Sequence, residues 1–156
     1  MDFDQVVALF KALREEGVEY ILVGAVALTV HGIVRATQDV DLFIKTEEKN
    51  VERLRAALVN LFPGDPSIDE ISAGDLAGPY PVIRYISPDG AMVIDLISRI
   101  GEMFSYEKLR HEERNYAGVP VRVATPASLY EMKKGTLRLQ DQADAAALQE
   151  AFDLKE

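Results

Sequence analysis

A chain of 156 residues is long enough for one domain with a real core and too short for two of ordinary size. Hydrophobic residues make up 48% and charged residues 28%, which excludes a disordered or collagen-like chain. With 17 Lys+Arg against 26 Asp+Glu the net charge is −9, which argues against non-specific DNA binding, and the lack of cysteine removes disulfides, thiolate metal sites and cysteine nucleophiles.

The opening MDFDQ has no basic segment followed by an apolar one, so it does not read as a signal peptide. The longest apolar runs, 21–23 and 25–30, are far short of a membrane span. A cytoplasmic protein with no membrane partner is expected. Residues 4–16 read as a helix, with Val6, Val7, Leu9, Phe10 and Leu13 on one face. Residues 20–23 read as a strand, broken by Gly24, and 25–31 as a short helix. Residues 39–45 alternate as a strand, and Thr46 is placed to cap a helix reaching Leu61. Residues 62–81 hold four of the seven prolines and three glycines, with Ser67 and Glu70 as a capping box for one short helix. A hairpin is expected from 82–87 and 91–98 across Pro88-Asp89-Gly90. Then come a short helix over 106–113, a strand over 119–124, a helix from Thr125-Pro126 to about Leu139, and a last helix capped by Asp141. The order suggests a single α+β domain: a mixed sheet flanked by helices.

Asp39 and Asp41 are two apart on a strand, so both side chains leave one face. Side by side, two carboxylates resist joint ionisation unless a positive charge lies between them. A hard divalent cation such as Mg²⁺ resolves that conflict, because it takes oxygen ligands from carboxylates and phosphates. Asp95 is a lone acid in the apolar run 92–97 and is the natural third member. Its structural alternative is a pair with an arginine such as Arg84 or Arg99. For Asp39 and Asp41 the structural alternative is an edge strand with one wet face. Gly24 lets the backbone approach a phosphate closely where the strand gives way to the helix.

Together these residues resemble the nucleotidyltransferase (polymerase-beta-like) superfamily. Its signature is a strand, Gly-[Gly/Ser], a short stretch, Asp-x-[Asp/Glu] and a further acid on a later strand. Here that is Gly24-Ala25, thirteen residues, Asp39-Val40-Asp41, and Asp95. The wording between Gly24 and Leu42, with His31-Gly32, Arg35 and Thr37, is similar to the AbiEii-like nucleotidyltransferases, which include toxins of toxin–antitoxin pairs. Thr125-Pro126, Lys133 and the run Arg138, Asp141, Asp144 resemble them again.

The resemblance implies a nucleotidyltransferase-like fold and transfer of a nucleoside monophosphate from an NTP to a hydroxyl. The acceptor would be a tRNA end, a protein or a small molecule. Asp39, Asp41 and Asp95 would hold Mg²⁺ or Mn²⁺, and Asp95 would help take the acceptor proton. Gly24 and Ala25 would cradle the triphosphate through backbone N–H groups, and Lys133 and Arg35 would add positive charge at the pyrophosphate. An antitoxin partner is a further implication. Many members carry Ser or Gly where this chain has Ala25, so a hydroxyl is lost there and the backbone N–H kept. Beside the enzyme stand two alternatives: a catalytically degenerate domain that binds nucleotide or a partner protein, and a simple metal-binding domain. Arg53, Arg55, Lys133, Lys134 and Arg138 are the residues from which a basic rim for RNA would have to come.

The remaining polar residues read as structural. His31 is expected to cap or fill a semi-buried position, and His111 to lie at the surface. Arg35 is alternatively a counter-charge for Asp39 or Asp41. Asp141 and Asp144 are spaced to cap a helix or to pair with Lys133. Tyr80, Tyr85 and Tyr106 are expected in core or rim packing rather than stacked on a base.

Overall fold

The computed structural model describes residues 2–154. Helix α1 (Phe3–Glu15) buries Val6, Leu9, Phe10 and Leu13, and Asp2 caps it by accepting from the Asp4 amide at 2.8 Å. It packs on α3 (Glu48–Leu61) and against the sheet. The chain passes through β1 (Tyr20–Val23), α2 (Gly24–Val30) and β2 (Asp39–Ile44) before α3. A 3₁₀ turn (Pro66–Glu70) and α4 (Ala73–Ala77) lead to β3 (Val82–Ile86) and β4 (Val93–Ile97). A small ribbon of β5 (Arg99–Ile100) and β6 (Phe104–Ser105) precedes β7 (His111–Tyr116), β8 (Val119–Ala124), α5 (Pro126–Lys133) and α6 (Leu139–Phe152).

Six strands form one mixed sheet in the order β3-β4-β2-β1-β8-β7. β1 runs antiparallel to β2, β2 parallel to β4, and β1 parallel to β8, so the expected α+β class with helices flanking a mixed sheet is what is found. All four residues of the central β1 are buried, as a continuous apolar run in a covered strand should be. In β2, Val40 and Leu42 are buried and Asp39 and Asp41 lie on the opposite, half-open face. β4 repeats the pattern: Ile94 and Leu96 are buried, Val93 and Asp95 half-open. Parallel pairing sets Asp41 beside Asp95 in register, so all three acids share one face.

Several local expectations are corrected. The segment expected as a helix over 106–113 is turn and loop over 106–110 and enters β7 at His111; β7 pairs with β8 through a tight turn at Ala117 and Gly118, both with positive φ (53° and 83°). The long helix from Pro126 ends at Lys133, because Lys134 is extended (ψ 143°) and the chain doubles back into α6. Thr46 does not cap α3. Its start is clasped by the buried Asn50, which accepts from Glu19 N at 2.7 Å and donates to Glu19 O at 2.9 Å and Lys45 O at 2.8 Å. The short helix after Phe62 is capped by Asp65, which accepts from Ser67 N, rather than by a Ser67–Glu70 box. Asp141 lies in the first turn of α6, with Arg138 at the N-cap. No helix among the described residues is long and apolar enough to cross a membrane.

Candidate active site

Gly24 opens the site. Its φ of +73° disfavours any residue with a side chain, and a Cβ there would fall inside contact distance of Asp41 Oδ2 and 2.9 Å from Asp41 Cγ. Backbone and carboxylate are this close because Val23, the residue before the turn, pairs with Asp41 across β1 and β2. Ala25 follows as a buried residue in the first turn of α2, and no side-chain hydrogen bond caps that helix. Its small side chain leaves the approach to the backbone open.

Asp41 is surrounded by its own kind. Its carboxyl is pushed up to about 7, first by burial, then by the negative charge of Asp95 and a hydrogen bond with it, then by Asp39; Lys133 pulls the other way. Asp39 and Asp95 are satisfied differently. Arg84, opposite Asp95 in the β3–β4 pair, forks onto it: Nε donates to Oδ1 at 2.9 Å and Nη2 to Oδ2 at 3.1 Å. The same Nη2 reaches over β4 to Asp39 Oδ2 at 3.1 Å. Thr37 Oγ1 accepts from the Asp39 amide at 3.2 Å and fixes the start of the strand. The arginine named as the structural alternative for Asp95 is therefore present. As the side chains lie, no group of three or more acids or histidines among the described residues is set to hold an ion. The donor set still fits a hard divalent cation in type and number. The half-buried, protonation-prone Asp41 marks where positive charge is short.

On the far side of Asp41 lies a cavity of about 240 Å³ lined by Val23, Gly24, Asp41, Lys133 and Arg138, with Ile97, Ile100, Leu129, Met132 and Asp141. Lys133 is 12% exposed and held by Asp144 at 2.8 Å and Asp141 at 3.4 Å. An ammonium has three donors, so this leaves one for a ligand. Asp144, buried on α6, also takes Arg35 at 2.9 Å and Gln140 Nε2 at 3.0 Å. Arg35, expected at the triphosphate or beside Asp39 and Asp41, does not line this cavity and reaches it only through Asp144.

His31 is buried, its Nε2 lies 2.8 Å from Ala124 O, and its ring meets Phe152 edge-on at 5.8 Å. That is a structural position. Tyr85 is buried and donates to Asp65 at 2.7 Å, and Tyr106 accepts from Arg122 at 3.0 Å. Arg84 is the residue that sequence reasoning left outside the site. The hairpin register could have found it: with Ile86 opposite Val93, Arg84 must oppose Asp95.

No family model and no curated protein sequence matches the chain. Solved structures do. An antigenic nucleotidyltransferase-like protein from Paracoccidioides brasiliensis aligns over 94% of this chain and 75% of its own, with 17% identity and a TM-score of 0.59. The lincosamide antibiotic adenylyltransferase LnuA, solved with lincomycin, aligns over 96% and 97%, with 10% identity and a TM-score of 0.62. ANT(2")-Ia, solved with adenylyl-2"-tobramycin, aligns over 95% and 87%, with 13% identity and a TM-score of 0.60. At such identities the likeness is one of fold, and by it this chain has a nucleotidyltransferase-like fold.

Proposed function

We propose that this protein transfers a nucleoside monophosphate from an NTP to a hydroxyl of a small-molecule acceptor. The observation that carries the reading is the contact between Gly24 and Asp41: a turn only glycine fits, closed on an acid that shares its face with two more. Asp39, Asp41 and Asp95 would hold Mg²⁺ or Mn²⁺. Such an ion neutralises phosphate charge and orients attacking and leaving oxygens. The chain supplies the rest. Backbone N–H groups of Gly24 and Ala25 face the phosphates, and Lys133, fixed by Asp141 and Asp144, offers its free N–H to the departing pyrophosphate. Arg35 contributes by steadying Asp144. Asp95 accepts the proton of the attacking hydroxyl on the side away from the Lys133 cavity.

The net charge of −9 favours a small acceptor over RNA. Most of the basic residues from which an RNA rim would have to come are engaged: Arg55 donates to Ile71 O at 2.6 Å, Lys133 lies 2.8 Å from Asp144, Lys134 lies 3.0 Å from Glu131, and Arg138 lies 3.9 Å from Asp141, while Arg53 stands exposed on α3. LnuA and ANT(2")-Ia, with lincomycin and adenylyl-tobramycin in their structures, are in keeping with that choice. The kinship to AbiEii-like toxins, and with it an antitoxin partner, rests on the motif resemblance from Gly24 to Leu42 and from Thr125 to Asp144. A second reading, a degenerate domain that binds without transferring, draws on Arg84, which satisfies Asp39 and Asp95 without any metal.

Incubation with each labelled NTP, Mg²⁺ or Mn²⁺ and a panel of aminoglycosides, lincosamides, tRNA and cell extract separates these readings. Wild type is expected to label a small acceptor, and Asp41→Ala to lose at least 100-fold of that rate (roughly the value of one electrostatic group). No labelled product with any metal would leave the binding domain as the reading.

A further inference from the structure

Arg84 has no part in the transfer chemistry above, yet it stands at its centre. It sits on β3, an end strand of the sheet, and its side chain is 55% exposed. Its fork takes both oxygens of Asp95, which is 15% exposed, and a further bond takes an oxygen of Asp39. These are the lone pairs a hard cation would need. A guanidinium keeps its charge throughout the physiological range, so it does not leave these ionised carboxylates by deprotonation, and another cation must compete for them. The half-exposed stem lets the head swing towards solvent while the β3–β4 ladder stays paired.

Resting on the cation reading given above, we infer that Arg84 is an internal counter-cation, which holds Asp39 and Asp95 in the metal-free protein and is expelled when a divalent ion is seated. Arg84 and metal are then mutually exclusive ligands of the same carboxylates. By linkage, the arginine weakens the apparent metal affinity by the factor with which it is favoured in place. The binding curve keeps its shape and shifts to higher metal concentration than three free carboxylates would give.

Mn²⁺ titration calorimetry without nucleotide tests this on the full chain. Arg84→Met keeps an apolar stem on the strand and removes charge and fork. It is expected to bind Mn²⁺ roughly fivefold or more tightly than wild type. Arg84→Lys keeps the charge without the two-pronged contact and is expected to fall between the two. In wild type, the ¹⁵N-edited signal of Arg84 Nε–H, assigned by its loss in Arg84→Met, should move from a protected to a rapidly exchanging position at saturating Mg²⁺. Equal Mn²⁺ affinity in wild type and Arg84→Met, Arg84→Lys behaving as wild type, or an Nε–H signal unmoved by Mg²⁺ overturns the counter-cation. If Asp41→Asn abolishes Mn²⁺ binding in that same series, the cation reading survives that failure. Absence of Mn²⁺ binding from wild type and Arg84→Met alike overturns the cation reading and Arg84's role with it.

Discussion

A Cβ placed on Gly24 would strike Asp41 and would sit on a backbone with φ of +73°. The two penalties are separate. A left-handed non-glycine residue costs about 1–2 kcal/mol and a packing clash about 1–3 kcal/mol. Gly24→Ala is therefore expected to lose roughly 2–5 kcal/mol in urea unfolding. Combined with Asp41→Ala, which removes the struck carboxylate, the loss should be less than the sum of the two single changes. Asp41 also sets a pH dependence. Its folded carboxyl titrates near 7, above the usual carboxylate range, mainly through burial and then through Asp95. Between about pH 4 and pH 7 the folded protein keeps a proton that the unfolded chain has released, so this group's contribution to stability falls as pH rises. Asp41→Asn should flatten that fall and, above pH 7 without metal, unfold at higher urea than wild type by roughly 2–3 kcal/mol. Urea midpoints of both proteins at pH 5, 6.5 and 8 in EDTA check it.

Among the elements, legibility followed the strength of the local period. β1, α2 and β2 were readable because apolar runs and a glycine mark their limits within a few residues. β7 was not. HEERNY has hardly any buried residue, and its strand character comes from pairing with β8 and from the Ala117-Gly118 turn. Its charges guard an exposed sheet edge against unwanted pairing, which a propensity reading mistakes for a helical surface. The junction of α5 and α6 was half legible: Lys133, Asp141 and Asp144 stood out by spacing, but the break after Lys133 did not. Asp144 on α6 ties down Lys133 on α5 and Arg35 in the segment between α2 and β2. Asp144→Ala would leave Arg35 without its carboxylate and Lys133 with Asp141 alone, at a cost of about 3 kcal/mol. The loss should fall first on α6, whose amides are expected to exchange hydrogen faster than those of α1 and α3.

Across the whole molecule, the site gathers residues whose separation along the chain decided what could be read. Gly24, Asp39 and Asp41 lie on consecutive elements and announce themselves as a motif. Asp95 was legible as an acid out of place in an apolar strand, and the parallel β2–β4 register confirms its side of the sheet. Arg84 depended on hairpin register, and the Arg35–Asp144 pair on long-range packing, neither of which leaves a pattern in neighbouring residues. The order in which these pieces are synthesised has its own consequence. A ribosome delivers the glycine turn and the first two acids first, Asp95 later, and Lys133 with its two anchoring aspartates after all of these. A chain ending at Ser98 therefore owns Asp39, Asp41 and Asp95 and one wall of the cavity (Val23, Gly24, Asp41, Ile97) without Lys133 and the aspartates that hold it. Fragments ending there are expected to lack the proposed transfer, which needs α5 and α6 in place.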